Sequence, residues 1–348
     1  MTLTRRQLLK TTALAGAGTA LLGPQALMTR RAQAATTFTG VTYLPPSYKA
    51  LTYGSAGFVD YLSNNGGDVL EVDFYDSGQL LKADEQLPAL RSRTIDFMFH
   101  TTSYITRSLP ILGITGLPGV VGELYRHPER LRLGSPLFEL INEQLAKENL
   151  YMLSSGGGIL EPEYIWSTQQ HAVRQLEDIR GKKVRVVSFE ATSALEAYDI
   201  GAVRIPSSET YMALQRGTVD AGVFNISTII GRSLQEQVDV CYQLPITGFS
   251  VAPFMLRDRW DALDNDSRNL LTDAARWYDD NFIHHCNDDI YPNDYWPQVR
   301  AENVEIIAPT EEDLAAFNET THKVWDHWKG EVGEDIGERA IQLALGQS

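Results

Sequence analysis

The sequence predicts an α/β protein built in two lobes, and three observations carry that reading. Short apolar runs alternate with helical patterns from Thr37 to about Val251, the signature of parallel strand and helix units. After Leu263 the pattern changes to long amphipathic helices. Residues 35–348, which follow an N-terminal export segment, are enough for two lobes and a sizeable core.

The elements follow in chain order. Thr4-Arg5-Arg6-Gln7-Leu8-Leu9-Lys10 is a twin-arginine signature, with the Ala/Gly/Leu run Thr11–Leu22 and the small-residue cleavage site Ala32-Gln33-Ala34 behind it. A membrane span needs about 20 apolar residues. The run is shorter and rich in glycine, so residues 1–34 read as a signal peptide for export to the periplasm, with a retained anchor as the lesser alternative. Leu70–Tyr75 reads as a strand, Ala83–Arg91 as a helix and Asp96–His100 as a strand. Gly156-Gly157-Gly158 has no Lys-Ser/Thr after it, as a phosphate loop would require, and reads as a flexible connection between the lobes. Asp264-Asn265-Asp266-Ser267 offers caps for a helix over Arg268 to roughly Asp289, with Leu270, Leu271, Ala274, Trp277, Tyr278 and Phe282 spaced by three and four. Tyr291-Pro292 to Trp296-Pro297 marks a break. The strand Val304–Ile307 follows, then a helix from Thr310, where Thr310-Glu311-Glu312-Asp313 is a capping-box variant.

The most informative stretch runs from Leu176 to Asn225. Val184, Val186 and Val187 surround Arg185 in a short apolar run that follows the turn residue Gly181. A guanidinium in a strand buried on both faces needs a partner, and its planar fork matches a carboxylate. Two readings stay open from the pattern alone: an internal pair with an acid of this acidic chain, or a clamp for an external carboxylate.

These residues also carry a resemblance. LEDIRGKKVRV from Leu176 and PSSETYMALQRGTVDAG from Pro206 resemble the substrate-binding proteins of TRAP transporters, the DctP-like family of periplasmic carriers. Pro206, Ser208, Glu209, Tyr211, Ala213, Leu214, Gln215, Gly217, Val219 and Asp220 match the family pattern. Phe74–His100, the segment GITGLPGV from Gly113 and the helix start at Asp258–Leu263 extend the likeness over most of the chain.

The resemblance implies a two-lobed periplasmic binding protein fold, with an interlobe ligand cleft and a long C-terminal helix spanning both lobes. It implies discontinuous lobes, 35–155 with 250–285 and 156–249 with 286–348. Arg185 is then the residue that clamps a ligand carboxylate. Two departures stand out: Tyr164 occupies the position where many members have a second arginine, and Phe224, with Asn225 next to it, falls where members present Asn or Trp to the ligand. Phe224 and Tyr164 are expected to shape the cavity, and Asn225, Glu85 and Thr102 to hydrogen-bond the solute. Trp166, Tyr48 and Ser208 complete the candidate ligand-binding residues.

Removing residues 1–34, which carry five basic residues and no acid, takes the net charge from −15 to −20. Such a field disfavours nucleic acid and anionic membranes. It would attract a cation, so a small amine remains the alternative to an organic acid. Cys241 and Cys286 can form one disulfide in an oxidising compartment or remain buried thiols. His284 and His285 are adjacent, about 100° apart on a helix, and so do not form a metal pair. No Gly-Xaa-Ser-Xaa-Gly motif is present. The expectation is a monomeric solute-binding protein without catalysis, cofactor or metal, whose partners are a small solute and a TRAP membrane permease. An exported enzyme or sensory protein on the same fold is the competing reading.

Overall fold

Two mixed sheets form the frame. The computed structural model describes residues 36–198 and 200–347, so the export signature and cleavage site lie outside the described residues. In chain order the strands are β1 Thr36–Thr42, β2 Leu70–Tyr75, β3 Phe97–Thr101, β4 Leu150–Met152, β5 Glu163–Ser167, β6 Lys183–Val186, β7 Gly201–Arg204, β8 Ala221–Phe224, β9 Val240–Thr247, β10 Val251–Leu256 and β11 Glu305–Ile307. One sheet has the order β2-β1-β3-β10-β4 and the other β11-β9-β5-β8-β6-β7.

Strand direction departs in part from the parallel units the alternation predicts. β1 runs parallel to β2 and β3, and β6 runs parallel to β7 and β8. β10 is antiparallel to both of its neighbours, as β5 is to β8 and β9. Both exceptions lie where the chain passes from one sheet to the other. A strand entering without a crossover helix is free to run against its neighbours.

The passage from β4 to β5 contains Gly156, Gly157 and Gly158, all at positive φ. A Cβ on Gly157 would lie 2.1 Å from the Asp279 carbonyl oxygen, and one on Gly156 would lie 2.5 Å from the Phe282 ring. These glycines are buried against a helix, so their role is close approach and not the flexibility their composition suggests.

That helix begins at Asn265–Ile283, where Asp264 caps the start by accepting from the Ser267 amide at 2.8 Å. Its first half packs on the helix Lys49–Gly66, with Gly54 admitting Tyr278 and Gly57 admitting Trp277. The expected break at Pro292 is absent. The helix widens into π turns over His284–Tyr295, with Pro292 inside them, and continues through Trp296–Ala301. Wider turns accommodate the ring without ending the helix. The far end stacks Trp296 on Trp166 of β5, with centroids 5.7 Å apart, so the continuous helix links both sheets.

The helix Glu311–Val332 starts with half of a capping box. Thr310 Oγ1 accepts from the Asp313 amide, while the Asp313 carboxylate accepts from the Tyr242 hydroxyl instead of turning back. Farther along, Trp325 and Trp328 donate to the Pro118 and Pro110 carbonyls, fastening that segment. Cys241 and Cys286 are both buried and free.

Candidate functional site

Arg185 sits on β6 beside Gly222 of β8. The Phe224 ring folds back over Gly222, so closely that a Cβ there would fall 2.3 Å from the ring. The Arg185 guanidinium lies over this ring, 4.7 Å from its centroid. Its Nε donates to the Ile205 carbonyl and its Nη1 to the Val223 carbonyl, each at 2.9 Å. The residue is only 1% exposed, and no carboxylate of the described residues forms an ion pair with it. Two carbonyls and an aromatic face therefore hold a buried cation and leave part of its fork for the adjoining cavity.

That cavity is narrow, about 20 Å³, and is walled from both sheets by Tyr43, Tyr48, Thr101, Ser103, Tyr104, Glu163, Arg185, Ser207, Thr228 and Phe249. Tyr43 meets Thr101 Oγ1 at 2.5 Å, and burial holds its phenol neutral by pushing its pKa well up. Glu163 is 3% exposed. Burial pushes its carboxyl up to about 7, against the opposing pull of Arg185 and of a hydrogen bond from the Asn225 amide.

Bonds across the cleft draw the two walls together. Arg204 donates to the Tyr104 carbonyl, the Ser207 amide to the Tyr104 hydroxyl, and Ser47 to the Gly231 carbonyl. Arg232 donates to the Tyr48 hydroxyl at 3.2 Å and lies over its ring. Outside the cavity a groove carries Lys82, Arg91, Arg107, Arg204 and Arg232 against only Asp84 and Glu209. The mouth is thus basic on a chain of net charge −15.

The residues singled out from sequence are distributed unevenly around this site. Arg185 and Tyr48 line the cavity, and Ser208 lines the outer groove. Phe224 lies beneath the guanidinium, while Trp166 donates to the Phe224 carbonyl from behind. Asn225 caps the helix Ile226–Gly231 and donates to the Glu161 carbonyl. Tyr164 turns to the Glu161 carboxylate and packs beside Trp296. Thr102 binds the Ser250 amide behind the cavity wall, where Thr101 and Ser103 are the lining residues. Glu85 folds back on its own helix, accepting from the Lys82 amide at 2.7 Å. Sequence reasoning missed Glu163, Ser103, Tyr104, Ser207, Thr228 and Phe249. The signal for Glu163 was an acid one residue before Tyr164, the position the resemblance singled out; β5 is irregular between Glu163 and Ile165.

Residues 46–331 match the family described as bacterial extracellular solute-binding protein, family 7, or DctP. The chain belongs to this family. A relative called solute-binding protein, from Albidiferax ferrireducens, is 26% identical over 58% of this chain and 59% of its own length. An uncharacterised protein, YiiZ from Salmonella typhimurium, is 23% identical over 46% and 48%. The chain thus spans about half to three-fifths of the curated relatives it matches.

Solved structures share the fold over more of their length. DctP7, a Bordetella pertussis extracytoplasmic solute receptor binding pyroglutamic acid, superposes with a TM-score of 0.77 at 15% identity, covering 89% of this chain and 99% of that one. A TRAP periplasmic solute binding protein from Rhodoferax ferrireducens with bound malonate gives 0.74 at 17% identity, covering 90% and 98%. Another from Sulfitobacter sp. NAS-14.1 with bound β-D-galacturonate gives 0.75 at 16%, covering 89% and 100%. The two-lobed architecture with a cleft is therefore the family 7 fold.

Proposed function

We propose that this protein is a periplasmic receptor that closes on a small carboxylate and delivers it to a TRAP membrane permease. The single observation that carries the reading is Arg185, a buried guanidinium held by two backbone carbonyls, without an internal ion pair among the described residues, at the wall of a small cavity. The basic groove outside agrees with it, since local positive charge offsets repulsion of an anion by an acidic protein. Structural relatives described with pyroglutamic acid, malonate and galacturonate make the same class of solute the first to try.

The lobes divide as 35–155 with 250–285 and 156–249 with 286–348. Solute contacts to both walls stabilise the closed form, which the permease reads; no bond in the solute changes. Phe224 supports Arg185 from beneath. Tyr48 lines the cavity and Ser208 the route in, whereas Tyr164, Trp166, Asn225, Thr102 and Glu85 hold the surrounding frame.

The test is a thermal-shift screen of the chain from Ala35 onward against organic acids, sugar acids, amino acids and small amines, with Arg185→Ala alongside. Saturation at 100 times the dissociation constant adds about 2.7 kcal/mol to native stability. A carboxylate response that disappears in Arg185→Ala supports the reading. An amine response retained in that variant overturns the solute class.

A further inference from the structure

Glu163 is the unusual carboxylate of this fold. The other buried acids have their oxygens engaged: Glu161 accepts from Trp296 Nε1 and the Tyr164 hydroxyl, Glu190 accepts from Thr106, and Asp279 accepts from Ser154 and pairs with Arg132. Glu163 Oε2 is buried and accepts nothing from the described residues. Among the described residues, the hydrogen bond that reaches its carboxyl comes from the Asn225 backbone N–H. Its side chain nevertheless lines the cavity that Arg185 lines. A second cavity atom, Ser103 Oγ on the opposite wall, is also buried and unpartnered. A buried acceptor aimed at a ligand space is matched by a donor on the ligand.

We propose that Glu163 decides which carboxylate enters: a solute with an N–H, ammonium or hydroxyl donor beside its carboxylate, the donor seated on Glu163 Oε2 while Arg185 holds the carboxylate. This rests on the carboxylate reading of the same cavity. The sheet supplies two poles, a guanidinium on β6 and a carboxylate at the start of β5. Arg185 answers the charge that all organic acids share. Glu163 answers the neighbouring atom, where they differ. Where Glu163 is ionised, above the value of about 7 to which burial pushes it, a 2-oxo acid or a lactone presents only a lone pair there and faces the carboxylate with no hydrogen between them. Sites built to meet a ligand donor reject the analogue lacking it far more strongly than apolar pockets sort by size.

The experiment is titration calorimetry of the chain from Ala35 onward, at a pH about 1.5 above the value to which burial pushes Glu163 so that its carboxyl is ionised, with pairs that share a skeleton and differ in this donor. The pairs are glutamate and 2-oxoglutarate, lactate and pyruvate, and pyroglutamate and its lactone analogue. In at least one pair the donor member is expected to bind about 100-fold more tightly or better. Glu163→Met erases that ratio, and Glu163→Gln, which keeps an acceptor without the charge, lowers it most for the ammonium compound. A urea midpoint near that of the wild type establishes that each variant is folded; if Glu163→Met does not fold, the wild-type and Glu163→Gln ratios decide.

Equal binding within every pair, with Arg185→Ala abolishing binding, overturns the role of Glu163 and leaves the carboxylate reading standing. Binding indifferent to Arg185→Ala overturns both.

Discussion

Replacing Arg185 by lysine separates the shape of the clamp from its charge. The guanidinium performs three tasks at once: Nε holds the Ile205 carbonyl, Nη1 holds the Val223 carbonyl, and the rest of the fork faces the cavity. An ammonium gathers its three donors at one point on a flexible stem and cannot serve two diverging carbonyls and a solute together. Each hydrogen bond to a charged group contributes about 1.5–3 kcal/mol net, so losing one solute bond weakens binding by roughly 10- to 150-fold. A carbonyl left unmet in the wall lowers unfolding stability by about 1–3 kcal/mol. Titration calorimetry with the best carboxylate from the screen reads the first quantity, and urea unfolding of the unliganded protein reads the second. A lysine variant that binds within about threefold of wild type would refute the reasoning, because charge alone would then suffice.

Three further outcomes are expected. Burial pushes Glu190 up to about 7 from its ordinary 4.5; the folded protein then keeps a proton that the unfolded chain releases, and stability falls by at most about 3 kcal/mol as pH rises across that interval. Glu190→Gln should therefore be more stable than wild type by urea unfolding at pH 8 and equal to it at pH 4, and a difference independent of pH contradicts the assignment. Gly157→Ala, at φ +92 with its new Cβ 2.1 Å from the Asp279 carbonyl oxygen, should lose about 2–4 kcal/mol; an unchanged urea midpoint would show that the approach to the helix is soft. Arg107→Glu, at the basic mouth, should slow solute association in stopped flow at low salt, leave dissociation unchanged and lose its effect at high salt.

Local physics made much of the frame legible. Strand β2 and the helix Ala83–Arg91 fall where alternation and helical spacing place them, and Asp264 and Thr310 cap the helices they precede. These features depend on residues a few positions apart, which periodicity and capping register directly. Pro292 was misleading because its local rule describes an α-helix. The surrounding turns are wider, and the helix passes through.

What the sequence by itself determined is the α/β class, the family and the strand that carries Arg185, since all of these follow from short-range pattern. Only the tertiary structure decided what surrounds that arginine. Ile205 and Val223 supply its carbonyls, Phe224 the face beneath it, Tyr104 and Ser103 the opposite wall, and Glu163 the buried acceptor. The family resemblance drew attention to Tyr164, yet the irregularity at the start of β5 accompanies a cavity lined by Glu163 instead. A cavity is assembled from residues far apart in the chain, and whether a charge within it finds a partner depends on distances in space that no local pattern encodes.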